Sequence, residues 1–204
     1  MSRILVAMPM KPFAVAKSRL APALTAAQRE RLARALFLRT HRFFGAQFPD
    51  FDRLVVAPCE SLRAACDRVG ADCLVEADDG GLNGAAALAR AWATERGYDR
   101  LLLIPGDVPV WIRGEVRQLL AAGRRHDVVV ARARDGGTNA LLMSLPNRMR
   151  FGYGPDSCDR HLESARAAGG SAGVCRLPFL AHDLDVPNDC LVMTAARRAA
   201  GARP

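Results

Sequence analysis

Lysine is nearly absent from this chain. Of 29 positively charged residues only Lys11 and Lys17 are lysines, and the rest are arginines. Aromatic residues make up 6% of the sequence, which leaves little for the base-stacking platforms of a nucleic-acid binder. No apolar run approaches the roughly 20 residues needed to span a bilayer. The N-terminal stretch MSRILVAMP is too short for a signal-peptide core and lacks a cleavage site. A cytoplasmic protein without a membrane partner is expected. The six cysteines form no C-x-x-C pair, and no histidine stands near them at zinc-finger spacing. They read as small buried apolar residues in a reducing compartment. A Walker A loop and a G-x-G-x-x-G turn are both missing, and with them those two phosphate-binding mechanisms.

The chain does have enough apolar material for a sizeable core, at 204 residues and 50% hydrophobic. One domain over residues 1–204 is expected, with residues 199–204 a frayed tail. The charged fraction of 25% is ordinary for a globular protein. A formal net charge of +8 attracts phosphates, on nucleic acid or on small molecules. Because the arginines are spread evenly along the chain, small molecules are the expected partners and nucleic acid is not. Both lysines fall in one short stretch. Lysine is a flexible point charge for phosphate where arginine is a rigid fork, so that stretch is a candidate phosphate loop.

Short β-like runs alternate with longer helical patterns. Strands are predicted at Ile4–Met8, Leu54–Ala57, Cys73–Glu76, Leu101–Ile104, Val128–Ala131, Asn139–Ser144 and Val174–Leu177. Helices are predicted from a capping box at Thr25–Gln28 through Phe44, and at Ser61–Arg68, Asn83–Glu95, Arg113–Ala122, Asp159–Ala168 and Asn188–Arg198. The alternation argues an α/β fold, a three-layer, mostly parallel sheet with helices on both faces. In such sheets ligands bind beyond the carboxyl ends of the strands, so the loops there carry the candidates.

After the first strand, Lys11, Lys17 and Arg19 share the segment PMKPFAVAKSRLAP, a candidate triphosphate clamp. After the third strand, DDGGLNG places Gly81, Leu82 and Asn83 before a helix, either as a nucleoside contact or as an ordinary turn. After the fourth, IPGDVP carries Asp107, a carboxylate costly to bury unless it is paired or holds a metal. Near the C-terminus, HDLDVPND puts Asp183 and Asp185 on one face of an extended segment. With Asp107 they could supply the hard oxygen ligands of magnesium. DGGTN offers backbone donors and the Thr138 hydroxyl to an anion, or forms a hairpin turn. FGYGPDS brings Gly154 and Ser157 to a helix N-terminus, a position that favours anions. His161 on that helix reads more readily as a surface or capping histidine than as a catalyst.

These segments, in this order and over essentially the whole chain, resemble the 2-phospho-L-lactate guanylyltransferases of coenzyme F-420 biosynthesis. The more specific part is DGGTNALL, then a G-P-x-S segment with a downstream histidine, then D-x-D-x-P-x-D. The resemblance implies a Rossmann-like GT-A nucleotidyltransferase domain that binds GTP and a small phosphorylated acid. That acid is 2-phospho-L-lactate, phosphoenolpyruvate or 3-phospho-D-glycerate in different family members. It implies Lys11, Lys17 and Arg19 near the GTP phosphates, with Lys17, Arg19 and Asp107 in catalysis. Gly81, Leu82 and Asn83 fall near the nucleoside, and Asp107, Asp183 and Asp185 on Mg2+. Thr138, Gly154 and Ser157, with His161 downstream, fall near the acceptor. Cys158 and Gly106 depart from the residues frequent in relatives. Rival readings are a cytidylyltransferase-like enzyme, a GT-A glycosyltransferase, and a basic nucleic-acid-binding domain. The sequence does not set the oligomeric state, and a homodimer is compatible with it.

Overall fold

The apolar run that follows Arg3 forms an interior strand, β1 (Ile4–Pro9), of a seven-stranded sheet. In this computed structural model the described residues are 2–76, 80–106 and 108–181. The other strands are β2 (Asp52–Ala57), β3 (Asp72–Val75), β4 (Arg100–Leu103), β5 (Val128–Arg132), β6 (Thr138–Ser144) and β7 (Ala172–Cys175). The helices are α1 (Ala26–Gln47), α2 (Arg63–Val69), α3 (Gly81–Glu95), α4 (Arg113–Ala122) and α5 (Ser157–Ala167). The sheet order is β3-β2-β1-β4-β6-β5-β7.

Side-chain alternation along the strands feeds two separate cores. Val6 and Met8 face the layer of α1, α2 and α4, where Phe37, Phe44, Cys66 and Leu119 pack. Leu5 and Ala7 face the layer of α3 and α5, where Ala86, Ala89, Leu162 and Ala165 pack. This is the three-layer α/β arrangement expected. The small face of α3, with four buried alanines, lets that helix lie close on β1 and β2. Helix α1 starts where the Thr25–Gln28 pattern predicts. The Thr25 side chain accepts the Gln28 N–H, and the Gln28 side chain accepts the Thr25 N–H.

One strand runs against the rest. β6 is antiparallel to both β4 and β5, whereas β1–β2, β1–β4, β2–β3 and β5–β7 are parallel pairs. β6 therefore delivers its amino end, Thr138, to the edge where the parallel strands deliver their carboxyl ends. Several boundaries move by two residues from the sequence reading, among them the starts of β2 and α2. α3 begins at Gly81, α5 at Ser157, and β7 covers Ala172–Cys175, because Leu177 already belongs to the turn that follows. The helix expected at Asn188–Arg198 and the tail at 199–204 lie outside the described residues, as do Asp107, Asp183 and Asp185.

Candidate functional site

The loop after β1 is anchored at two points. Phe13 and Leu20 are buried, and Phe13 packs edge-on against Phe37 with ring centroids 5.4 Å apart. Between and before these anchors stand exposed Lys11, half-buried Lys17 and exposed Arg19. Lys17 is held at φ 58, a left-handed conformation that a side chain adopts at a cost of about 1 kcal/mol or more. Asp156, in the loop before α5, is held at φ 52 and is the other non-glycine residue in this region among the described residues.

The β1 loop also touches the loop that carries Asp107. A Cβ on Gly106 would fall 1.9 Å from the Met10 Sδ, so this position accepts glycine because Met10 fills the space.

Gly81 adopts φ 62 at the start of α3, and Leu82 beside it is 47% exposed. Asn83 has a definite partner. Its Oδ1 accepts the Tyr153 N–H at 2.8 Å and so ties α3 to the loop that precedes α5. Further along α3, Arg90 Nη1 donates to the Met149 carbonyl oxygen and its guanidinium lies 5.0 Å from the Phe151 ring. Burial lowers its pKa.

Thr138 stands at the centre of a buried polar cluster. Gly152 N–H donates to His161 Nε2 at 3.0 Å, so that nitrogen carries no proton. Burial, reinforced by the neighbouring Arg160 charge, lowers the His161 pKa to about 4, so the ring is neutral at pH 7 and its proton sits on Nδ1. Nδ1 then donates to Thr138 Oγ1, 3.0 Å away, and the Ser157 hydroxyl donates to the same oxygen at 3.0 Å. With two bonds received, the Thr138 hydroxyl has its own proton to give. His161 is thus neither a surface nor a capping residue. It is fully buried, and both ring nitrogens are used inside the protein.

The backbone donors around this cluster are occupied. Gly137 N–H donates to Asp135 Oδ1 and Gly136 N–H to the Ala133 carbonyl, so DGGTN is a hairpin turn and not an open anion nest. Gly136 is at φ 86, and a Cβ there would meet Asp156 Oδ1 at 2.7 Å. Ser157 N–H donates to the Gly154 carbonyl and Cys158 N–H to that of Gly136, which uses the first donors of α5. Cys158 is fully buried, and its side chain joins the core of the α3 and α5 layer.

A turn over residues 177–181 closes the other side of the site. Glu115 on α4, 6% exposed, accepts Phe179 N–H and Leu180 N–H at 2.8 Å each, one on each carboxylate oxygen. Asn139 Nδ2 donates to the Leu180 carbonyl at 2.9 Å, and Arg134 N–H to that of Ala181 at 3.2 Å. The segment that carries Asp183 and Asp185 follows this turn directly in sequence. Arg132 pairs both ways with Asp159, at 2.7 and 3.1 Å.

The structure thus gathers Thr138, Ser157 and His161 in one cluster, with Gly154 in the adjoining loop, and links Asn83 to that loop. Lys11, Lys17 and Arg19 share the β1 loop. Sequence reasoning missed Glu115, Arg90 and Tyr153, because each acts through a partner 59 or more residues away. The one available signal for Glu115 was its place four residues before Leu119, on the buried face of α4.

Comparisons with known proteins bear on the family and the fold. Residues 3–196 match the family model described as "Guanylyl transferase CofC like". The chain is 36% identical over 185 residues to a 3-phospho-D-glycerate guanylyltransferase of Colwellia psychrerythraea, covering 90% of this chain and 88% of that one. It is 32% identical to a 2-phospho-L-lactate guanylyltransferase of Methanothermobacter thermautotrophicus, over 89% of this chain and 79% of that one. It is 33% identical to a phosphoenolpyruvate guanylyltransferase of Conexibacter woesei, over 89% and 83%. Among solved structures, a protein from Desulfovibrio desulfuricans described as a nucleotide-diphospho-sugar transferase superposes with a TM-score of 0.75 at 17% identity, covering 97% of this chain and 89% of that one. A CMP:2-keto-3-deoxy-manno-octonic acid synthetase superposes at 0.61 with 14% identity, covering 98% and 100%, and these two likenesses establish the fold alone. The chain belongs to the CofC-like guanylyltransferase family.

Proposed function

We propose that this protein transfers GMP from GTP to the phosphate of a small phosphorylated acid and releases pyrophosphate. The observation that carries the reading is the Thr138 hydroxyl. Two buried donors occupy its oxygen and leave its own proton free to donate, at the sheet edge that also bears the lysine loop. Such a group binds an anionic acceptor without adding charge of its own.

In this reaction an oxygen of the acceptor phosphate attacks the α-phosphorus of GTP. A new P–O bond forms, the bond from the α-phosphorus to the β-phosphate oxygen breaks, and pyrophosphate departs. The acceptor phosphate is ionised at neutral pH, so no general base is required. A neutral His161 with both nitrogens engaged fits that economy. The remaining task is to bring two anions together. Lys11, Lys17 and Arg19 neutralise the triphosphate, and Thr138, Gly154 and Ser157 orient the acceptor. His161 acts through Thr138, and Asn83 through the Tyr153 backbone. Gly81 and Leu82 flank the nucleoside.

The three carboxylates Asp107, Asp183 and Asp185 are a hard oxygen donor set suited to magnesium. Among the described residues no group of three potential ligands is gathered. Asp107, Asp183 and Asp185 would hold Mg2+, which supplies charge neutralisation on the phosphates when bound. In sequence, Asp107 follows Gly106 and the Asp183 segment follows the Glu115-anchored turn.

Pyrophosphate release with purified protein, magnesium and GTP tests the reading. It is run with 2-phospho-L-lactate, phosphoenolpyruvate and 3-phospho-D-glycerate in turn, and with ATP and CTP as controls. Release that requires GTP and one acid is expected. Asp107→Asn is expected to lower turnover by orders of magnitude in a folded protein, and a near-normal rate would remove Asp107 from the site.

A further inference from the structure

The corner between the end of β3 and the start of α3 holds a carboxylate that neither the lysine loop nor the Thr138 cluster uses. Glu76 is the first residue past β3, and its backbone N–H donates to the Ala57 carbonyl oxygen at the end of β2. Its half-buried side chain lies in a trough between two glycines one helical turn apart, Gly80 at the N-cap of α3 and Gly84 inside the helix. A Cβ on Gly80 would come 3.3 Å from Glu76 Oε1, and one on Gly84 would come 2.9 Å from the same oxygen. No other side chain among the described residues comes within 4 Å of that second position, and the Gly84 backbone is not in the left-handed region. Glycine inside a helix costs about 1 kcal/mol against alanine, so Gly84 is there to make room for the carboxylate. Gly80 in turn offers no capping side chain where serine, aspartate or asparagine is usual. Glu76, reaching in from the strand before, takes the anion position at the positive end of α3.

That placement gives a nucleotide bound along this edge a direction. A fixed carboxylate at the start of α3 repels a triphosphate and leaves the phosphates to the lysine loop. Met10 N–H, at the start of that loop, donates to the Val56 carbonyl oxygen on one side of β2, and Glu76 N–H donates to Ala57 on the other. β1 and β3 flank β2, so the two loops leave the sheet two strand spacings apart, about 10 Å. That is comparable with the reach of a nucleoside from its base edge to its first phosphate. What a carboxylate attracts at the far end is an uncharged base with N–H donors. Guanine is the common base with two adjacent donors on one edge, N1–H and the N2 amino group, and they match the two oxygens of a carboxylate. Adenine presents an acceptor at N1. Between residues 76 and 84 only Glu76 and Asn83 carry side-chain oxygens among the described residues. Asn83 gives its oxygen to the Tyr153 N–H, whereas a carboxylate has room for several donors at once.

We propose that the Glu76 carboxylate reads guanine, accepting N1–H and the N2 amino group, and so selects GTP over nucleotides that carry another base. The proposal rests on the GTP reading above and names the residue that sets its base. Glu76 is held at the base end of the nucleotide, away from the reacting phosphorus, so its loss acts on nucleotide choice.

The test is calorimetric binding of GTP, inosine triphosphate and ATP, with magnesium present, to the wild-type chain, Glu76→Gln and Gly84→Ala. Inosine triphosphate is GTP without the N2 amino group. Wild type is expected to bind GTP about tenfold to a hundredfold more tightly than inosine triphosphate, the worth of one hydrogen bond to a charged group, and to bind ATP more weakly still. Glu76→Gln should bring the ratio of GTP to inosine triphosphate affinity close to one. Gly84→Ala keeps the charge and favours the helix, but its methyl group displaces the carboxylate, so the ratio should fall there too with no drop in thermal midpoint. Equal weakening of all three nucleotides by Glu76→Gln, the mark of a residue that only supports α3, overturns the proposal, as does a wild type that binds GTP and inosine triphosphate alike. If Glu76→Gln does not fold, the ratio in Gly84→Ala decides in the same way. GMP transfer by the wild type, measured in parallel, reports separately on the reaction itself. Transfer from GTP with a base preference untouched by Glu76→Gln sinks the role of Glu76 and leaves the guanylyltransferase reading standing.

Discussion

Asn83 Oδ1 accepts the backbone N–H of Tyr153, so the first turn of α3 holds the loop that leads to Ser157. The two residues are 70 positions apart, and the bond is 2.8 Å long. It connects the half of the site assigned to the nucleotide with the half assigned to the acceptor. Asn83→Ala should lower kcat/KM for the acid about tenfold. Asn83 is exposed, so stability should fall by only about 1 kcal/mol, or roughly 2–4 °C in thermal midpoint. Steady-state kinetics and a melting curve on the same preparation check both.

Thr138→Val keeps the shape and removes the oxygen. The Ser157 hydroxyl and His161 Nδ1–H would each lose their acceptor inside the protein. A stability loss of about 1–3 kcal/mol is expected, along with a raised KM for the acid. Thr138→Ser restores the oxygen and should recover most of both. If Val and Ser behave alike in acid KM, the hydroxyl does not contact the acceptor.

Two buried histidines make the fold acid-sensitive. Burial first, with Arg53 for His41 and Arg160 for His161 adding repulsion, lowers each pKa from 6.5 to about 4. The unfolded chain binds these protons more readily, so stability is fully present above pH 6.5 and falls as pH drops from there towards 4. Each histidine should cost roughly 2 kcal/mol by pH 5. His41 has no hydrogen-bond partner on either ring nitrogen among the described residues and lies tilted against Phe37, so His41→Leu should halve this slope with little loss at pH 7.5. Urea midpoints from pH 7.5 to 5 measure it.

Glu115→Gln replaces one of two carboxylate oxygens with a donor that faces a backbone N–H. The turn at 177–181 should loosen, with a cost of about 1–3 kcal/mol. Because Asp183 and Asp185 follow that turn in sequence, Mn2+ affinity, read by electron paramagnetic resonance, should weaken in the same variant. An unchanged Mn2+ affinity would separate the turn from the carboxylates.

Gly106→Ala obliges the half-buried, flexible Met10 side chain to swing aside, so it should cost little stability. Met10→Ala in the same background removes the contact, and a double-mutant cycle should show only weak coupling between the two sites.

Much of this was written locally in the sequence. The strands, the Thr25 capping box and the helix periodicities are set by residues within a few positions of one another. The direction of β6 was available too. Only five residues separate Arg132 from Thr138, far fewer than the dozen or more that a parallel crossover needs. Apolar pattern alone could not show it, since a run such as Ala140–Met143 reads the same in either direction. Glu115, Arg90 and Tyr153 were hidden for a different reason. Their partners are brought together by the packing of helices on the sheet, which no short segment records. His161 looked bland because its meaning lies in Thr138 and Gly152, on two other segments.

The reversal at β6 divides the molecule. Strands β1 to β4 form a parallel block that carries the lysine loop and the start of α3. β6, β5 and β7 form a second block that carries Thr138 and Arg132. Mutations that reshape the second block leave the hydrogen-bond ladder of the first untouched. On the proposed function, that division would let a lineage exchange one acid for another without redesigning its nucleotide half. Relatives that all bear the name guanylyltransferase yet differ in their acid are the outcome such a division allows.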